Sequence, residues 1–229
     1  MIYITGDIHG DVARFSADNL LQQGIVLTAE DTVIICGDFG LVWCDPPSRE
    51  ERLGLDWLEA QPCTFLFVDG NHENFDMLKV FPVEKWQGGR VQPIRRIVLH
   101  LLRGEIFTIE GKTFFCFGGA ASTDKQWRIM GKSWWPEENA SQGEFEYAER
   151  KLAAHGWNVD YVITHTAPEK WKQRWGDSAF WKDVCKTAQL LDSFEDRLTY
   201  KKWFFGHMHM DDHDAGRKDV WLYEDIIQV

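Results

Sequence analysis

Acidic, amide and imidazole side chains lie along this chain in five short clusters. They read Gly6-Asp7-Ile8-His9-Gly10, Gly37-Asp38, Gly70-Asn71-His72-Glu73, Thr164-His165 and Gly206-His207-Met208-His209. Two Asp, one Asn and four of the eight His supply the oxygen and imidazole donors that suit a pair of divalent cations. Two such cations activate water and polarise the bond to be cleaved, so this set points to metal-assisted hydrolysis. A single histidine is ordinarily an exposed or satisfied core residue. Five of the eight here fall in the clusters and share one structural context.

That context is the end of an apolar run. Ile2-Tyr3-Ile4, Thr32-Val33-Ile34-Ile35-Cys36, Phe65-Leu66-Phe67-Val68, Tyr161-Val162-Ile163 and Trp203-Phe204-Phe205 precede the clusters in turn. Short runs rich in β-branched and aromatic residues are buried-strand candidates, and open α/β sheets place their sites at the C-terminal ends of strands. Helices are expected over 11–23, with Gly24 as its stop, after a capping box of Ser48 and Glu51 (carrying Leu53, Trp57 and Leu58), and shortly after Asn74. The second half reads as strands 98–102, 105–109 and 112–117 with a hairpin turn at Glu110-Gly111. It continues as a long loop over 120–139, a helix from a second capping box of Ser141 and Glu144, and a mostly helical stretch over 178–198. Two face-to-face sheets with helices outside fit this order. No linker or repeat divides the chain, so residues 1–229 are expected to form one domain.

The 229 residues, 44% hydrophobic with mixed charge, are those of an ordinary globular protein. A formal net charge of −11 argues against strong electrostatic binding of nucleic acid, while bound cations would still admit an anionic substrate. Five cysteines (36, 44, 63, 116 and 185) without a C-x-x-C pair suggest reduced thiols in a cytoplasmic setting. The first strand begins at residue 2, which leaves no room for a signal peptide, and no stretch approaches the length of a membrane span.

The ordered series D-x-H, G-D, G-N-H-E, lone His and G-H-x-H resembles the calcineurin-like metallophosphoesterases, from residue 6 to residue 209. The resemblance implies an α+β fold, a four-layer α-β-β-α sandwich of two mixed sheets flanked by helices. A doubly wound α/β fold is the alternative, and the hairpin-rich second half counts against it. By motif, one metal takes Asp7, His9 and His209, the other takes Asn71, His165 and His207, and Asp38 bridges them. An oxygen and nitrogen shell without thiolate suits Mn²⁺, the expected ion, with Fe, Zn²⁺ or Ni²⁺ as alternatives. The nucleophile implied is a water bridging both ions. His72 resembles the family's proton donor to the leaving group, expected to be kept cationic by a carboxylate, with Glu73 and Asp69 nearby in sequence. His100, His155 and His213 are not expected to be ligands.

Gly-Asp-Ile-His-Gly and Gly-Asn-His-Glu also resemble protein Ser/Thr phosphatases and diadenosine tetraphosphatases. Those place one Arg after the second-motif Gly-Asp and another before Gly-Asn-His-Glu. Here Phe39-Gly40-Leu41-Val42-Trp43 follows Asp38, and Asp69 precedes Gly70. Arg128 and Lys125, in the loop after Gly118-Gly119-Ala120, are the candidate replacements for holding a phosphate, and Trp127, Trp134 and Trp135 a candidate face for a flat leaving group. The expected activity is hydrolysis of phosphoesters, as a phosphodiesterase or phosphatase on a small or nucleotide-like substrate. The alternatives are a protein Ser/Thr or dinucleoside-polyphosphate phosphatase and, further off, a non-catalytic scaffold or a nuclease.

Overall fold

A computed structural model of the protein describes residues 1–174, 184–214 and 216–229. Among the described residues, twelve strands form two mixed sheets. The larger contains β1 (Ile2–Thr5), β2 (Thr32–Ile35), β3 (Thr64–Phe67), β4 (Glu84–Trp86), β5 (Gly89–Arg95), β6 (Val98–Leu101) and β12 (Ile226–Gln228), ordered β12-β1-β2-β3-β6-β5-β4. The smaller contains β7 (Glu105–Ile109), β8 (Lys112–Phe117), β9 (Tyr161–Thr164), β10 (Lys202–Phe205) and β11 (Asp219–Trp221), ordered β11-β10-β9-β8-β7. β1, β2, β3 and β6 run parallel, as do β8, β9, β10 and β11, so the strand ends that carry the polar clusters share one edge in each sheet.

Alternation along the strands builds the layers. Ile2, Ile4, Ile34, Leu66 and Val68 face Phe114, Cys116, Ile163 and Phe204 across the space between the sheets. On the outer face of the large sheet, Tyr3, Val33, Phe65 and Phe67 pack against α1 (Ala17–Gln22), α2 (Arg49–Glu59) and α3 (Phe75–Leu78). On the outer face of the small sheet, Phe115, Phe117, Trp203 and Phe205 pack against α4 (Gln142–Ala154) and α5 (Lys186–Glu195). This is the α-β-β-α sandwich, and two separate sheets exclude the doubly wound alternative.

Both capping boxes form, at Ser48/Glu51 and Ser141/Glu144. Glu110 and Gly111 both take positive φ (47° and 75°), as a tight hairpin turn needs. The helix expected over 11–23 is instead a 3₁₀ turn (Val12–Phe15) followed by α1. Ser16 is extended and its hydroxyl accepts the Asn19 N–H, which restarts the helix. In α2 the core face is Leu55 and Leu58, while Leu53 is exposed. The hairpin β4–β5 carries no strong run of alternating apolar residues and escaped the sequence reading; Gln87 and Gly88, both at positive φ, make its turn. Of the helix expected over 178–198, Lys186–Glu195 is observed, and 178–183 lie outside the described residues. Among the described residues no helix is long and apolar enough to cross a membrane.

Candidate active site

β1, β2 and β3 end two, three and four residues before Asp7, Asp38 and Asn71; β9 ends at the residue before His165, and β10 two before His207. The backbone that turns these side chains together is unusual. His9, Asp38, His207 and His209 all have positive φ (46°, 48°, 69° and 50°), a region that costs a non-glycine residue about 1–3 kcal/mol. Hydrogen bonds offset that cost: His9 N–H donates to the Asp38 carbonyl (2.8 Å), His207 N–H to the Asp7 carboxylate (2.9 Å), and His72 N–H to Asp38 Oδ1 (2.7 Å). Two motif glycines act by their missing side chains. A Cβ on Gly206 would lie 2.0 Å from Asp7 Oδ1, and one on Gly70 would lie 2.0 Å from Asp38 Oδ1.

The donors fall into two neighbouring groups. In the first, one ligand atom each from Asp7, His9, Asp38 and His209 lie within 4.8 Å of one another. His209 Nε2 is 3.2 Å from Asp7 Oδ2 and 3.1 Å from His9 Nε2. In the second, His165 Nε2 lies 3.0 Å from Asn71 Oδ1, and the His165 and His207 rings are 4.9 Å apart. Asp38 stands between the groups: Oδ2 is 3.8 Å from His9 Nε2, and Oδ1 is 3.4 Å from His165 Nε2. Asp7, Asp38 and His165 are essentially inaccessible, whereas His9 and His209 are partly open to solvent.

Two buried carboxylates draw positive charge. Burial disfavours a cationic His165, but Asp38 and Asp7 outweigh it and push its pKa up to about 10. Burial likewise opposes an ionised Asp38, yet His165, His72 and His9 hold its carboxyl well below the usual carboxylate range. Burial and then His165 push His207 down to about 3, so it presents a neutral imidazole. Buried carboxylate and amide oxygens facing imidazole nitrogens, with no thiolate, are a donor set that fits divalent cations.

His72 lies beside this cluster, its ring 5.4 Å from that of His9. Neither Glu73 nor Asp69, the carboxylates near it in sequence, partners its ring. Glu73 turns inward to accept Phe39 N–H (2.8 Å), and burial followed by Asp38 pushes it up to about 8. Asp69 is held by Arg103 (Nε, 2.8 Å) and His100 (Nε2, 3.3 Å). His72 instead meets a cation: Arg128 Nη2 is 3.0 Å from Nε2 and 3.2 Å from Nδ1. Burial, with Arg128 assisting against Asp38, lowers the His72 pKa rather than raising it. Arg128 is anchored by Asp124 (2.7 Å) and by the Ser133 carbonyl (3.3 Å). The loop therefore brings Arg128 to the site, while Lys125 is exposed on the 3₁₀ turn Lys125–Trp127. Trp127 is 84% exposed, Trp134 half-buried, and Trp135 buried with its indole N–H on Asp76 (2.8 Å). His100 is a core residue bonded to Gln92 and Asp69; His155 caps α4, and His213 pairs with Asp225 (2.7 Å).

Several residues that support the site escaped the sequence reading. His165 Nδ1 bonds the Cys36 carbonyl (2.7 Å), Asn71 Nδ2 donates to Ser122 Oγ (3.1 Å), and Tyr223 stacks on His209 at 4.6 Å. Arg14 donates to the Asp7 carbonyl (2.8 Å) and Thr5 Oγ1 (3.0 Å) beneath the first motif. Arg103 was the detectable one, a lone charge at the end of an apolar strand just as the ligands are.

Comparison with curated proteins gave no match. Among solved structures, a protein assigned as a 5′-nucleotidase from Staphylococcus aureus, crystallised with α-ketoglutarate, is similar with TM-score 0.49 and 14% identity; the alignment covers 98% of this chain and 49% of that one. The chain thus spans about half the length of that protein. The phosphopantetheinyl hydrolase of Mycobacterium tuberculosis is similar with TM-score 0.42 and 15% identity over 97% of this chain and 89% of that one. At these scores and identities neither likeness bears on what this chain acts upon. The family pattern described as calcineurin-like phosphoesterase matches residues 1–211, which takes in every cluster above. With that match over most of its length, the chain belongs to the calcineurin-like phosphoesterases.

Proposed function

We propose that the chain hydrolyses small or nucleotide-like phosphoesters, as a phosphodiesterase or phosphatase, with two divalent cations. In this reading Asp7, His9 and His209 hold the first ion, Asn71, His165 and His207 the second, and Asp38 is shared. The observation that carries it is the Asp38 carboxylate, which turns one oxygen toward His9 and the other toward His165. Mn²⁺ is the ion proposed, on the strength of the mixed oxygen and imidazole donors. When bound, the ions supply Lewis acidity, acidifying water and offsetting charge on phosphoryl oxygens.

The chain's own residues do the rest. His72, next to Asn71 and lining the same cluster, donates a proton to the leaving-group oxygen. The Arg128 guanidinium donates to the His72 ring, an arrangement that requires an unprotonated ring nitrogen. A substrate phosphate is a stronger acceptor for Arg128 than a neutral imidazole, because both partners are then charged. Substrate arrival thus draws Arg128 onto the phosphate and frees the His72 nitrogen to carry its proton. Exposed Trp127, one residue before Arg128, offers a face to a flat leaving group.

The arginine positions of the phosphoprotein phosphatases stay empty in this reading, which favours a small substrate over a phosphoprotein. The Asp69 carboxylate, at one of those positions, is already taken up by Arg103 and His100. We read residues 1–229 as one domain, supported by the apolar layer the two sheets share, and the free cysteines as fitting a cytoplasmic setting. A screen of Mn²⁺-loaded protein against p-nitrophenyl phosphate, its bis ester, cyclic nucleotides and phosphopeptides tests the proposal. Turnover should be found on the small esters and be abolished in Asp38→Asn. Preference for phosphopeptides, or full turnover in Asp38→Asn, would overturn it.

A further inference from the structure

We infer that Ser122 and Glu138 form a relay that orients the Asn71 amide, and so sets the affinity of the second ion. The inference rests on the two-ion reading above. An asparagine ligates a cation through Oδ1, but its amide is nearly symmetric in shape, and the flipped rotamer would present an NH₂ group to the ion. Something must therefore fix the flip. Here Asn71 Nδ2 donates to Ser122 Oγ (3.1 Å), and Oδ1 faces His165 Nε2 (3.0 Å). Ser122 Oγ can accept this bond and still donate its single proton elsewhere.

That proton has an acceptor. Glu138 Oε2 takes the Ser122 backbone N–H (3.2 Å), which sets this carboxylate beside the Ser122 hydroxyl, whose proton favours its ionised form. When Glu138 is ionised it can only accept, so the hydroxyl points its proton at Glu138 and its lone pairs at Asn71. Asn71 must then answer with its NH₂ group, which leaves Oδ1 toward the ion site. Asn71, Ser122 and Glu138 are 3%, 2% and 0% exposed, so water does not compete for these bonds. Glu138 is itself positioned by the 3₁₀ turn Pro136–Glu138, whose Glu137 carbonyl accepts from Arg103 Nη2 (2.7 Å). A wholly buried carboxylate with a second oxygen, Oε1, that lacks a hydrogen-bond partner among the described residues is costly to keep. The relay gives it a task.

The test is Mn²⁺ binding to wild type, Ser122→Ala, Glu138→Met and Glu138→Gln by calorimetry, with His209→Ala marking the first-ion step. Outer partners of metal ligands typically contribute 10–100-fold in affinity. Ser122→Ala and Glu138→Met should weaken the second-ion step by roughly that factor and leave the step lost in His209→Ala where it was. Glu138→Gln, which keeps an oxygen acceptor for Ser122, should restore the second step. Equal weakening of both steps, or of neither, would overturn the relay. The Asn71 side-chain amide is followed by NMR in metal-free protein, where its exchange protection should vanish in Ser122→Ala and persist in Glu138→Gln. If wild type shows one step only, the two-ion reading fails separately, and unchanged Asn71 protection in Ser122→Ala would then overturn the relay by itself.

Discussion

The cradle of candidate ligands and the loop beside it are built on opposite terms. The cradle hangs from the ends of five strands, is mostly buried, and is fixed by hydrogen bonds such as His72 N–H to Asp38 and His207 N–H to Asp7. The segment from Asp124 to Trp134 leaves Trp127, Ile129 and Met130 exposed (84%, 61% and 69%) and reaches the site mainly through one side chain, Arg128. A divalent ion needs several donors held to within a fraction of an ångström, which only a rigid scaffold provides. Substrate selection can be left to a loop, which can vary without unravelling the metal site.

This contrast makes glycine the weak point of the cradle. In Gly206→Ala the new methyl carbon would collide with Asp7 Oδ1, with every ligand still present. Because the lost interaction is worth several kcal/mol, turnover should fall by roughly 10³-fold or more, together with the first ion. Metal analysis and kinetics on the purified variant check this, and a variant that keeps both would show that the cradle is softer than described.

His72 sits on the border between the two regions. His72→Ala should cost roughly 10²–10⁴-fold in turnover while metal content stays at the wild-type value. The loss should shrink with a leaving group as good as p-nitrophenolate. Equal losses for good and poor leaving groups would remove the proton-donor role.

For the loop the expected effect is smaller. A charge-assisted contact to phosphate is worth about 1.5–3 kcal/mol, so Arg128→Ala should lower kcat/KM by roughly ten- to a hundredfold. Melting temperature and metal content should not move. Unchanged kinetics would show that the loop cation serves His72 alone and not the substrate.

How much of this was legible in the sequence follows the same division. Asp7, Asp38, Asn71, His165 and His207 could be read because each follows a strand, and a strand end is a local pattern. So were the capping boxes and the Glu110-Gly111 turn. What holds these residues was not legible. Ser122, Cys36 and Tyr223 reach Asn71, His165 and His209 across 51, 129 and 14 positions of chain, and nothing local marks them. Arg128 was found as a cation, but its contact with His72 depends on how the loop folds back. That neither Glu73 nor Asp69 partners His72 belongs to the same class of tertiary fact.

The smallest expected effect is on stability. Burial pushes the Glu138 carboxyl up to about 7, from an ordinary value near 4.5. The folded chain therefore binds this proton more tightly than the unfolded one. Stability falls as pH rises from about 4.5 to about 7 and is flat above. Glu138→Gln removes that slope, so metal-free Glu138→Gln should gain about 1–3 kcal/mol on wild type at pH 8 and little at pH 4.5. Urea midpoints at the two pH values check it, and a pH-independent difference would contradict it.

The central claim is that two ions on one shared carboxylate perform the hydrolysis. It is tested most directly by stripping the protein with chelator and titrating Mn²⁺ back, counting bound ions while following hydrolysis of bis-p-nitrophenyl phosphate. The account predicts two ions per chain at saturation, with hydrolysis rising as the second binds. Full hydrolysis with one ion bound, or in the stripped protein, would contradict it.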